Sequence, residues 1–181
     1  MHQKASPIED SIIKWVAYTK DDKICERYPL DLWHQAVHDI DSDEEWAEFL
    51  SGSSIVKCYV LKLCSNEKSI AFVYTMQEDF DGKIVSIHGG GWENPLMYYR
   101  GYILMIKHLL DQGLKVRTYC QLSNPAAIRF SRSVGFVPYR YTEDEVYMWI
   151  STQRLTSSKL YKRLYSNKND YPYPNHLCNK L

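Results

Sequence analysis

Three stretches of this 181-residue chain carry residue types that could take part in chemistry. The sharpest is Asn124-Pro125-Ala126-Ala127-Ile128-Arg129-Phe130-Ser131-Arg132-Ser133-Val134-Gly135-Phe136. Its asparagine can cap free helix amides, its proline suits the first helical position, and Gly135 can take the left-handed stop. The second is His88-Gly89-Gly90-Gly91, a histidine at a strand end followed by glycines that let the strand splay or bulge. The third is Tyr99-Arg100-Gly101, where another helical pattern opens. The cysteines, Cys25, Cys58, Cys64, Cys120 and Cys178, offer less. They are odd in number and contain no Cys-x-x-Cys, so the expectation is free thiols in a reducing compartment, with neither a disulfide framework nor a metal site.

The elements that must position these residues follow from periodicity. Ile12 to Tyr18 is rich in β-branched and aromatic residues and predicts a first strand. Two short helical patterns follow, one over roughly Leu30 to His38 and one from Ser42, where Ser42 and Glu45 have capping-box spacing. Val56 to Cys64, Ser69 to Met76 and Lys83 to His88 predict an antiparallel meander, with Asn66 and Asp81-Gly82 as turn chemistry. Tyr99 to Gln112 turns helical, with Ile103, Ile106, Leu109 and Leu110 on one face and Gly113 ending it. A strand over Leu114 to Leu122, the helix from Asn124, and a hairpin of Phe136 to Tyr141 with Glu145 to Ile150 complete the order. The expected class is α+β, a mixed and largely antiparallel central sheet flanked by helices. Residues 1–150 form the expected domain. Residues 151–181 form a basic, Tyr-rich extension with one short helix around Leu160 and Leu164.

The Asn124 segment resembles the GNAT superfamily of acyl-CoA-dependent N-acyltransferases. Asn124, Ala127, Phe130, Gly135 and Phe136 fill the places of that superfamily's Asn-x-x-Ala-x-x-aromatic motif and the Gly-Phe that follows it. The segment also lies after a predicted strand, as it does in that superfamily, and the resemblance covers roughly Ile55 to Ile150. It implies the GNAT fold and transfer of an acetyl group from acetyl-CoA to a primary amine on a small molecule or peptide. It further implies a cofactor site. The helix opening at Tyr99, Arg100 and Gly101 would meet the diphosphate, while Asn124, Ala127, Phe130 and Arg132 would lie beside the pantetheine arm. The superfamily's phosphate loop, Arg or Gln, two residues, Gly, one residue, Gly or Ala, has no register here. A reacting amine must be neutral, so a nearby base or a desolvating pocket is required, and His88 and Glu93 are the candidate bases. Many relatives carry a tyrosine as general acid directly after the Phe130 place, and Ser131 stands there instead, so either another donor, water or one of Tyr119 and Tyr139, serves the leaving thiolate or the protein is catalytically weak. With the missing phosphate loop, that substitution favours a second reading, a non-catalytic acyl-CoA-binding or protein-interaction module. His88-Gly89-Gly90-Gly91 also looks like the oxyanion loop of lipases and esterases, but that chemistry needs a Gly-x-Ser-x-Gly elbow, which the sequence lacks.

Charge and hydropathy narrow the field. The formal net charge is zero. From Ser151 onward Arg154, Lys159, Lys162, Arg163, Lys168 and Lys180 outweigh Asp170, which reads as a solvated tail rather than a nucleic-acid arm. No run approaches membrane-spanning length, and Lys14 interrupts the apolar start, so a cytoplasmic protein with no membrane partner is expected. Trp33, Trp46, Trp92 and Trp149 are expected mostly in the core. Nothing in the pattern indicates an oligomer.

Overall fold

The computed structural model describes residues 8–27, 40 and 42–166. The helix expected over Leu30 to His38, Trp33, and the tail residues Lys168, Asp170, Cys178 and Lys180 lie outside them.

Eight strands form one sheet: β1 Ile8–Glu9, β2 Ile13–Ala17, β3 Val56–Leu63, β4 Ser69–Gln77, β5 Ile84–Gly91, β6 Lys115–Gln121, β7 Val137–Tyr141 and β8 Glu145–Ile150. Their spatial order is β1-β2-β3-β4-β5-β6-β8-β7. Every neighbouring pair is antiparallel except β5 and β6. That pair is joined by the crossover helix α3, Pro95–Asp111, as parallel neighbours require. The other helices are α1 Ile24–Arg27, α2 Asp43–Gly52, α4 Pro125–Val134, α5 Thr152–Ser157 and α6 Lys159–Tyr161, followed by one wide turn over Lys162–Ser166.

The sheet is covered on both faces. One core joins Val85, Ile87, Val116, Met148 and Ile150 to Ile103, Ile106 and Leu109 of α3 and Val134 of α4. The other joins Val56, Cys58, Val60, Phe72 and Tyr74 to Trp46 of α2 and Ile24 of α1. β4 therefore has helices over both of its faces and is buried continuously from Ser69 to Thr75. Helix α2 opens as its sequence predicts, with Ser42 Oγ accepting from the Glu45 amide at 3.2 Å.

Helix α3 starts earlier than its periodicity suggests, at Pro95 rather than Tyr99. Asn94 caps it and Pro95 takes the first position, the same chemistry that opens α4 at Asn124-Pro125. As a result Tyr99, Arg100 and Gly101 sit inside the helix. Gly101 is packed on the sheet: a Cβ there would lie 2.5 Å from Leu61 Cδ2, and Trp15 Nε1 donates to its carbonyl at 2.8 Å. Arg100 ties the two ends of the chain to α3. Its Nε donates to Asp10 Oδ2 at 2.6 Å, Nη1 donates to the Leu164 carbonyl at 3.3 Å, and the guanidinium lies 4.9 Å over the Tyr165 ring. Leu155 and Leu164, both beyond residue 150, are buried in the same core as α3.

Candidate active site

Among the described residues, the β5–β6 ladder stops short of the strand ends. β5 and β6 are paired only through Ile84, Val85 and Ser86 with Lys115, Val116 and Arg117. Beyond these the strands part, although β5 continues to Gly91 and β6 to Gln121. The main chain of β5 alternates. Glu78 N donates to Ile84 O and Trp92 N to Ile70 O, so even-numbered residues bond β4 and odd-numbered ones face β6. At the crotch of the fork Ile87 O accepts from Thr118 Oγ1 at 2.9 Å and Tyr102 Oη at 3.4 Å. The next backbone groups on that edge belong to Gly89 and Gly91. These glycines are strand rather than loop, paired with Val73 and Ala71. Gly89 admits no side chain, because a Cβ would sit 2.4 Å from Phe72 O, so only glycine lets β5 press this closely on β4.

Aromatic rings line both sides of the fork. On the α3 and α4 side Phe130 lies 4.7 Å from Tyr99, 5.7 Å from Tyr98 and 5.3 Å from Tyr102, centroid to centroid. On the opposite face His88 stacks on Tyr74 at 5.1 Å and meets Tyr119 of β6 at 4.2 Å, and Tyr119 in turn lies 5.6 Å from Tyr147. His88 keeps some surface exposure, but its Nε2 is buried and has no hydrogen-bond partner. Burial pushes the imidazole down to about 4, so the ring is neutral near pH 7 and can accept a proton.

The remaining sequence-predicted residues are placed less uniformly. Asn124 Oδ1 accepts from Ala127 N at 3.1 Å, so both serve the tip of α4. Ser131 is buried, its Oγ 3.6 Å from Cys120 Sγ. Arg132 lies in the last turn of α4 and reaches Tyr141 Oη at 3.5 Å on the surface. Glu93 is not brought to His88. It follows the end of β5, five residues on, and its carboxylate pairs with Lys68 at 2.7 Å. Tyr99 joins the aromatic wall, whereas Arg100 and Gly101 are held by the packing described above. The tip of α3 is largely sealed. Pro95 has no amide hydrogen, Asn94 Oδ1 and Asn94 O take Met97 N, and Asn94 O takes Tyr98 N. Leu96 keeps the one first-turn amide without such a partner among the described residues.

Sequence reasoning missed Thr118, Tyr98 and Tyr102. The spacing of Tyr98 and Tyr102, one helical turn apart, was the available signal. It also missed an acidic cleft of about 510 Å³ where β6 ends, lined by Gln121, Leu122, Ser123, Thr142, Glu143, Asp144 and Glu145. Cys25, Cys58, Cys64 and Cys120 are free thiols. Among the described residues no group of three or more His, Cys, Asp or Glu could hold a metal, and no helix is long and apolar enough to cross a membrane.

Against solved structures the match is to one architecture. A GCN5-related N-acetyltransferase from Brucella melitensis superposes with a TM-score of 0.68 at 11% identity, covering 91% of this chain and 86% of its own. This chain has the GNAT fold. A spermidine N-acetyltransferase chimera from Vibrio cholerae and hSSAT gives 0.59 at 12% identity over 80% of this chain and 98% of that one. An aminoglycoside acetyltransferase bound to coenzyme A and kanamycin gives 0.63 at 16% identity over 78% and 96%. No protein-family model matches the sequence, and no curated protein sequence matches it. The GNAT likeness is therefore carried by topology and by the few residues of the Asn124 motif.

Proposed function

We propose that this chain is an N-acetyltransferase that moves an acetyl group from acetyl-CoA to a primary amine. The observation that carries the reading is the β5–β6 fork, a wedge edged by the Gly89 and Gly91 backbone with a neutral, unpartnered imidazole nitrogen beside it. The fork suits a pantetheine arm and its thioester, since an extended chain can bond the free strand edge and Gly89 N–H can meet charge developing on the thioester oxygen. His88 Nε2 takes the proton of the attacking amine. The Glu143, Asp144 and Glu145 cleft at the end of β6 would favour a cationic acceptor approaching this end of the sheet. Solved GNAT structures that bind spermidine-type and aminoglycoside amines agree with a small-molecule amine acceptor. The diphosphate fits less well: with Asn94 and Pro95 closing the tip of α3, it has few amides to meet there.

That sealed tip, together with the buried Ser131, favours a second reading, a non-catalytic acyl-CoA-binding or interaction module on the same fold. Thermal unfolding with and without acetyl-CoA, followed by a free-thiol assay against diamines, polyamines, an aminoglycoside and an amine-terminated peptide, separates the two. Stabilisation with thiol release supports the transferase, and stabilisation without release supports the module. A chain neither stabilised by acetyl-CoA nor releasing thiol contradicts both.

A further inference from the structure

We propose that Tyr119 is the general acid that protonates the departing thiolate, facing His88 across the fork; the inference rests on the acetyltransferase reading above. Breaking a thioester C–S bond leaves a thiolate that needs a proton. Ser131 is buried against Cys120. Tyr102 and Thr118 are spent on Ile87 O, and Tyr147 Oη donates to Glu145 at 2.6 Å. Tyr99 packs on Phe130 on the other side of the sheet, and Tyr139 lies on β7, beyond Tyr147 of β8. None of the hydrogen bonds among the described residues uses the Tyr119 hydroxyl.

The register then places Tyr119 opposite the base. Ile84 pairs with Lys115 in a parallel ladder, so four residues further on His88 stands across from Tyr119, beyond the last paired residues. The two rings meet at 4.2 Å, tilted by 58°. The titratable groups facing Tyr119 are His88 from β5, Tyr147 and Glu145 from β8, and Glu78 just past β4. Burial and the two carboxylates raise the phenol, which keeps it protonated at neutral pH.

The step balances. The amine nitrogen bonds the acetyl carbon and gives its proton to His88 Nε2. The C–S bond breaks, and sulfur takes the Tyr119 proton. What remains is imidazolium and phenolate, and loss of one proton from His88 to solvent with gain of one by Tyr119 from solvent restores both groups.

Tyr119→Phe keeps the ring and its packing. With acetyl-CoA and the best acceptor from the amine panel, kcat is expected to fall about 10²-fold while stabilisation by acetyl-CoA is unchanged. Replacement of Tyr119 by 3-fluorotyrosine, a more acidic phenol, should move the alkaline limb of kcat to lower pH. Wild-type turnover that Tyr119→Phe leaves intact, or an alkaline limb that does not move, overturns the assignment. A wild-type chain that releases no thiol with any amine overturns the transferase reading itself, and this assignment with it.

Discussion

The two ends of the β5–β6 pair are built from similar strands and do opposite things. At the closed end Ile84 to Ser86 bond Lys115 to Arg117 through the main chain, and Val85, Val116 and Ile150 are buried under α3. At the open end the main-chain ladder is replaced by two side chains, Thr118 and Tyr102, on a single carbonyl, and the space beyond is walled by aromatic rings. The first end holds the sheet together. The second exposes strand edge and carries the one buried imidazole nitrogen without a partner among the described residues. Under the proposed function, stability and chemistry fall to opposite ends of one strand pair, and substitutions should separate them.

The largest expected separation is at His88. His88→Phe keeps a ring between Tyr74 and Tyr119, so the unfolding midpoint near pH 7 should hold while turnover falls about 10²- to 10⁴-fold, read in the thiol-release assay. The mirror experiment is Ile150→Ala at the closed end, where the side chain is 2% exposed. It should cost about 2–5 kcal/mol in urea unfolding and leave kcat per folded molecule unchanged. Loss of activity without loss of stability in Ile150→Ala would erase the distinction between the two ends.

pH offers a third cut. The His88 imidazole is held at about 4 in the fold and returns to about 6.5 when unfolded, so the unfolded chain binds more protons between these values. Its contribution to stability is complete above pH 6.5 and is lost as pH falls toward 4. Because His108 is also lowered, the informative quantity is the difference between wild type and His88→Phe, which should lose part of this acid sensitivity. The smallest effect is at the crotch. Thr118→Val leaves Ile87 O with Tyr102 alone and should cost about 1 kcal/mol, with a modest change in turnover because the fork is slightly loosened.

Much of this architecture was legible in the sequence because local signals and global order agreed. The Asn124 cap, the Gly135 stop and the strand expected over Ser69 to Met76 each correspond to an observed element. The apolar pattern alone opens α3 at Tyr99, whereas Asn94-Pro95 opens it at Pro95 with the same capping chemistry as Asn124-Pro125. Arg100 and Gly101 therefore lie inside the helix, away from its tip. Arg100 is instead paired with Asp10, ninety residues away in sequence, a contact no local pattern encodes. The meeting of His88 with Tyr119 depends on a parallel register set by a crossover helix, which is equally invisible to periodicity.

The proposed function requires that the open end of the β5–β6 pair receive the thioester arm of acetyl-CoA. Backbone amide NMR during titration with acetyl-CoA tests it directly. The largest shifts are expected on Ile87, Gly89 and Gly91 of β5 and on Thr118 to Gln121 of β6, with Lys115 to Arg117 little changed. Shifts confined to the closed end, or no shifts at saturating acetyl-CoA, would contradict it.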